Sequence, residues 1–216
     1  MDLGQFDLLY VLAVLSPILP LFVVFFYKKK LTDIHFNFII LFSFISLGTD
    51  ILSISLYALF SLGNYFLIYL NTLFAGILIL YFYKKMITAL FSKKILWGIF
   101  IFFILLLIIP LFIESVIVKY QVAYIFVSLY AVIFSILSMV KRVEFIQSKK
   151  EFFNIEFWIN CGIFIYFGAT FFLTLFESTI LLHYPSSFTT IWHVQWIATL
   201  LFFSSLTIGI WKQRKI

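Results

Sequence analysis

Charge is scarce in this 216-residue chain: Asp, Glu, Lys and Arg together make up 11% of it, against roughly 25% in an ordinary soluble domain. That scarcity argues against a water-soluble globular fold. Cysteine is scarcer still. Cys161 stands alone, so neither an intrachain disulfide nor a thiolate metal cluster can form. Several catalytic signatures are missing as well: there is no glycine-rich phosphate cradle, no G-x-S-x-G elbow and no His-Glu-x-x-His helix. No linker divides the sequence, and its longest polar gap, about Lys141 to Glu156, is too short to fold alone. The expectation is one domain over residues 1–216.

What fills the chain instead is apolar bulk, 64% of it, with 31 phenylalanines. A helix rises about 1.5 Å per residue and a hydrocarbon core is about 30 Å thick, so roughly 20 mostly apolar residues make one crossing. Seven stretches qualify: Phe6–Tyr27, Phe36–Phe60, Tyr65–Tyr83, Ile95–Val118, Gln121–Val140, Phe157–Leu182 and Thr189–Trp211. Backbone amides in lipid find no water, which leaves helices or a closed barrel. The runs are unbroken rather than alternating, and that excludes the barrel. The boundary between the fourth and fifth stretches falls at a short turn, Lys119–Tyr120.

The positive charges set the orientation, because lysine and arginine accumulate in short cytoplasmic loops. Lys28, Lys29 and Lys30 follow the first stretch, Lys84, Lys85, Lys93 and Lys94 the third, Lys141, Arg142, Lys149 and Lys150 the fifth, and Lys212, Arg214 and Lys215 the seventh. Only Lys119 lies in a gap of the other set. The fold class expected is therefore all-α and polytopic: seven transmembrane helices, amino terminus outside and carboxyl terminus cytoplasmic, in a bacterial cytoplasmic (inner) membrane. The net charge of +6 belongs to these juxtamembrane clusters and to anionic headgroups, so a nucleic-acid partner is not expected. The first stretch is too long, and too acidic at its start, for a cleaved secretion signal. Residues Val143, Phe145 and Ile146, interleaved with charges, read as an amphipathic extension of helix five at headgroup level.

Polar residues inside apolar runs carry what chemistry there is. A charge near the bilayer centre costs at least a few kcal/mol, about 2.5 to 3.5 on insertion scales, and needs a partner or water. Asp50 is the deepest such group, and Asn71 on helix three reaches a similar depth and is its natural partner, the pair being either an ion, proton or ligand contact or, more often for such pairs, interhelical glue. Ser46, Thr49 and Ser53 can solvate the carboxylate further. A second set lies toward the outer face: Glu177, His183, His193 and Gln195, joined by the short turn Tyr184–Phe188. A carboxylate with two imidazoles can bind a metal, shuttle a proton or grip a polar ligand, although such residues at helix ends also sit among headgroups, with Trp192 and Trp196 as interface anchors. Glu177, His183 and His193 are the weak metal candidates, and no cofactor is assigned. Gly162, Gly168 and Ala169, like Ala75 and Gly76, suit close helix contacts. The tyrosines, among them Tyr57, Tyr65, Tyr69, Tyr81, Tyr83, Tyr124, Tyr130 and Tyr166, read mostly as interface belts and lipid-facing bulk, with about one in five lining a pocket. Helix seven has no lysine within the membrane, so a retinal Schiff base on it is excluded.

Four segments carry a resemblance: Ser16-Pro17-Ile18-Leu19-Pro20-Leu21 with its lysine exit, Asn64-Tyr65 leading to Tyr69-x-Asn71-Thr72, Phe157-Trp158 with Ile165-Tyr166-Phe167-Gly168, and Gly209-Ile210-Trp211-Lys212. Together they look like a family of small seven-helix integral membrane proteins of Bacteroidota-type bacteria. The resemblance implies the same topology over nearly the whole chain and adds little about activity, the family being described only as integral membrane proteins that are sometimes thought of together with sensor kinases. Relatives often bear an acidic residue near the position of Ala75 or Gly76, where this chain has none.

Three function classes follow. The first is a non-enzymatic, receptor-like or regulatory module, or a subunit of a membrane complex, that acts through a protein partner in the membrane or cytoplasm. The second is a small-molecule or ion carrier with parallel three-helix halves around Asp50. The third is a membrane-embedded enzyme using Glu177 and His193.

Overall fold

The computed structural model describes residues 8–26, 34–60, 65–90, 98, 101–102, 104–105, 116–145, 154–184 and 188–213. Its elements are α1 (Leu8–Leu15), α2 (Ile18–Phe26), α3 (Ile34–Phe60), α4 (Tyr65–Leu90), α5 (Val116–Phe145), α6 (Ile155–His183) and α7 (Phe188–Gln213). No strand occurs among the described residues. Among the described residues six spans are long and apolar enough to cross a membrane, α1 and α2 together forming the first, Leu8–Phe26.

That first span is not the continuous helix expected over Phe6–Tyr27. Pro17 brings no N–H and its ring crowds the preceding turn, so the helix breaks there. The Ser16 N–H and hydroxyl both donate to the Ala13 carbonyl, at 3.2 and 2.6 Å, and the Leu19 N–H donates to the Ser16 carbonyl at 3.1 Å to restart the helix.

The turn expected at Lys119–Tyr120 is also absent: α5 runs through both residues. Lysine is a good helix former, and one charge between apolar runs does not end a helix. Of the expected crossing Ile95–Val118, the described positions Gly98, Ile101, Phe102, Ile104 and Leu105 are helical and residues 116–118 belong to α5. The Phe102 ring lies 4.9 Å from Phe126 on α5. The rest of that stretch lies outside the described residues, as do Ile146 and the remainder of the amphipathic extension beyond Phe145. At the other boundary of that gap, Asn154 caps α6 by accepting the Phe157 N–H at 3.2 Å, satisfying a donor that the first helical turn would leave orphaned.

The spans form a ring in chain order. Each of α3 to α7 packs against its neighbours in sequence, and α1 and α2 close the circle between α3 and α7. Near the amino-terminal ends of α4 and α5, Asn71 and Tyr124 face one cavity, and toward their carboxyl ends Tyr83 meets Phe134 at 5.7 Å. The two helices therefore run in the same direction. Lys84, Lys141, Arg142 and Lys212 mark one end of the ring, called here the basic end.

Inside, aromatic and branched side chains interlock: Phe38 meets Phe82 at 4.8 Å and Phe42 meets Phe202 at 4.9 Å, with Ile39, Ile79 and Leu206 fully buried beside them. Outside, Phe22, Phe25, Phe26, Phe44, Phe66 and Phe172 are all at least 60% exposed. Water would penalise so much contiguous apolar surface, whereas lipid does not. The chain thus has the build of a multi-pass helical membrane protein.

The closest helix contact is between α6 and α7. A Cβ on Gly162 would stand 3.1 Å from Phe202 Cδ2 and 3.3 Å from both the Phe202 carbonyl and Ser205 Cβ, and one on Gly209 would stand 3.1 Å from Trp158 Cβ. Gly168 is different, since a Cβ there would meet only Val132 Cγ2, at 3.9 Å.

Candidate functional site

A cavity of about 250 Å³ lies in the half of the ring away from the basic end. Every described span lines it: Tyr10 from α1, Ser46, Thr49, Asp50 and Ser53 from α3, Asn71 from α4, Tyr124 from α5, Tyr166 and Glu177 from α6, and Trp192, Gln195 and Trp196 from α7. The geometry comes from the helical repeat. Ser46, Thr49, Asp50 and Ser53 are spaced three and four apart, which puts them on one face of α3.

Four of the six residues singled out from the sequence, Asp50, Asn71, Glu177 and Gln195, are thereby brought to one place. Asp50 and Asn71 face the same space at matching depth, but no hydrogen bond joins them. Thr49 is less available to the carboxylate than its position suggests, because its hydroxyl donates to the Ile45 and Ser46 carbonyls, both at 2.9 Å. Glu177 accepts a hydrogen bond from Gln121 Nε2 at 3.1 Å. That fixes the carboxylate from the neighbouring helix.

The two histidines are placed otherwise. His193 is half-buried with its ring 5.2 Å from that of Trp196, and His183 is exposed at the end of α6, 6.5 Å from the Tyr184 ring. Neither lines the cavity. Among the described residues no three His, Cys, Asp or Glu side chains come together as a metal-holding group, so Glu177, His183 and His193 do not form the metal set considered from the sequence.

The aromatic residues correct a second expectation. Trp192 and Trp196 line the cavity, and Trp196 also meets Tyr10, ring centroids 5.3 Å apart. Tyr124 donates to the Tyr166 hydroxyl at 3.1 Å, while Tyr83 and Tyr130 are buried in the interior. Below the two phenols a void of about 20 Å³, lined in part by Phe42, Phe202 and Phe203, has room for about one water. Those phenylalanines close the cavity toward the basic end.

A second polar cluster lies at the basic end and was not anticipated. Arg142, 7% exposed, donates through Nη1 to Asn154 Oδ1 at 2.7 Å and pairs through Nη2 with the Glu156 carboxylate. Asn160, fully buried, donates to the Glu156 carbonyl at 2.7 Å and accepts from the Tyr83 hydroxyl at 2.5 Å. The cluster joins α4, α5 and α6. Asn160 offered a signal that was passed over, a polar residue inside an apolar run; Arg142 offered none, because it reads as one more juxtamembrane charge. Tyr83→Phe removes the donor and leaves a buried amide oxygen short of a partner, at a cost of about 1 to 3 kcal/mol. A lowered unfolding midpoint in detergent, with the bundle still monodisperse, is the expected result; an unchanged midpoint contradicts it.

No protein-family model, curated protein or solved structure matches the chain.

Proposed function

We propose that the chain is a receptor-like or regulatory module of a bacterial cytoplasmic membrane, with seven crossings, its amino terminus outside and its carboxyl terminus inside, that takes a small ligand in the cavity and acts through a partner protein. The observation that carries this reading is the cavity itself. Because all six described spans line it, an occupant touches every one of them, and occupancy can bias how the ring packs.

Parallel α4 and α5 support the seventh crossing, since a chain leaving α4 at the basic end must return to the far end before α5 begins. The inside rule supports the orientation, because the basic end is then cytoplasmic and the cavity faces out. The resemblance to small seven-helix membrane proteins supports the same topology.

A carrier is the second reading, favoured by two three-span halves of like direction and by Asp50 in the cavity between them. Against it stands the aromatic layer of Phe42, Phe202 and Phe203 on the route to the basic end. The enzyme reading loses ground, because of its two residues only Glu177 lines the cavity.

Photo-crosslinking in cells from Val143 and Trp211, both exposed near the basic end, tests the partner. A discrete protein adduct from either position is expected. Lipid adducts alone, together with substrate flux in proteoliposomes that falls in Asp50→Asn, would replace the module with the carrier.

A further inference from the structure

Building on the ligand-binding reading above, we infer that the cavity is a site for a small organic cation, an amine or quaternary ammonium, with the Asp50 carboxylate as counter-ion and the surrounding aromatic rings as its walls.

The charge balance of the lining comes first. Asp50 and Glu177 both face the cavity, and no lysine, arginine or histidine is among the described residues that line it. Asp50 receives no hydrogen bond and no ion pair from the described residues. A carboxylate so placed within a bundle costs free energy unless a cation or water reaches it. An anionic ligand would add like charge to that cost.

The walls are the second observation. Tyr10, Tyr124, Tyr166, Trp192 and Trp196 all line the same space, and the tilted pair Tyr10 and Trp196 forms a corner. Aromatic faces carry negative potential, and tyrosine and tryptophan attract ammonium groups within about 6 Å of the ring centre. Rings alone suit any flat apolar ligand; rings around an acid without a cation suit an organic cation.

An inorganic ion fits less well. Hard divalent cations take about six to eight oxygen ligands or a near-octahedral shell, and among the described residues no third acidic side chain joins Asp50 and Glu177. Size narrows the choice further, for about 250 Å³ lies below the range of roughly 300 to 1,000 Å³ typical of drug-sized pockets. The occupant is metabolite-sized.

The test uses the full chain purified in maltoside micelles and three probes of one shape: benzylamine, benzyl alcohol and benzoate, with tetramethylammonium as a second cation. Calorimetric titration is expected to show saturable binding of benzylamine and tetramethylammonium, and much weaker binding of the neutral and anionic probes. Asp50→Asn should weaken benzylamine binding about thirtyfold or more, the low end for losing one partner of a buried charge pair, while the unfolding midpoint holds. Glu177→Gln should weaken it less, since Gln121 already occupies part of that carboxylate. Benzyl alcohol binding as tightly as benzylamine, wild-type affinity in Asp50→Asn, or no saturable binding of either cation overturns the assignment. Should Asp50→Asn fail to fold, the preference of the wild type for benzylamine over benzyl alcohol still decides. The two readings fail separately: tight benzyl alcohol binding removes the cation and leaves a ligand-binding module, whereas flux without a protein adduct removes the module whatever the ligand's charge.

Discussion

Arg142→Ala is expected to destabilise the bundle by about 3 kcal/mol, the low end for removing one partner of a buried ion pair, and to lower the unfolding midpoint in detergent by several degrees. The guanidinium is 7% exposed and serves two acceptors on α6, the Asn154 side chain and the Glu156 carboxylate. Its loss leaves both acceptors facing the interior and frees α5 from the start of α6. Asn154 is also the cap of α6, so the damage reaches the first turn of that helix. The low end is appropriate because the Glu156 side chain is 39% exposed and water can replace part of what it loses. Glu156→Gln should cost less than Arg142→Ala, since an amide oxygen still accepts. A double variant with Met at both positions should recover much of the loss, because an apolar pair strands no charge. An Arg142→Ala midpoint equal to wild type would mean that the cluster contributes nothing to holding the helices together.

Gly162→Leu is the second change of large effect. The Cβ alone would press on Phe202 and Ser205 at 3.1 to 3.3 Å, and one of those contacts is a backbone carbonyl that cannot turn aside. The branched remainder of leucine has nowhere to go unless α6 and α7 separate. Overpacking costs typically 1 to 3 kcal/mol and occasionally more; here, where the longest helix contact of the ring must open, about 3 kcal/mol or above is expected. Gly168→Ala is the control on the same helix, with its nearest neighbour at 3.9 Å, and should be neutral or stabilising by about 0.5 kcal/mol. Midpoints of the two variants measured side by side check both, and equal losses would contradict the close approach at Gly162.

The contrast between these two glycines shows where sequence reading stops. Both look like small residues suited to helix contacts, yet only one of them is at a close approach. Length was legible for α3 and α6: Phe36–Phe60 became Ile34–Phe60 and Phe157–Leu182 became Ile155–His183, because the hydrocarbon thickness dictates how many apolar residues a span needs. Depth was legible for the same reason, which is why Asp50 and Asn71 meet at one level. Which way a side chain points around its helix was not, since a face toward lipid and a face toward a neighbouring helix are built from the same residues. Tyr124 and Tyr166 were therefore not singled out for the cavity, and Trp192 and Trp196 were placed at the interface when they turn inward. Arg142 was misread for a related cause: a basic residue at a helix end looks the same whether it reaches water or is covered by the next helix.

The ring closes between its first and last members, α1 and α2 resting on α7 as well as on α3. During biogenesis α1 and α2 therefore wait for α7 before their second flank is covered. Losing α7 would unseat Tyr10 from Trp196 and so undo the packing of α1, a dependence between spans far apart in sequence that a stepwise row of helices would not have.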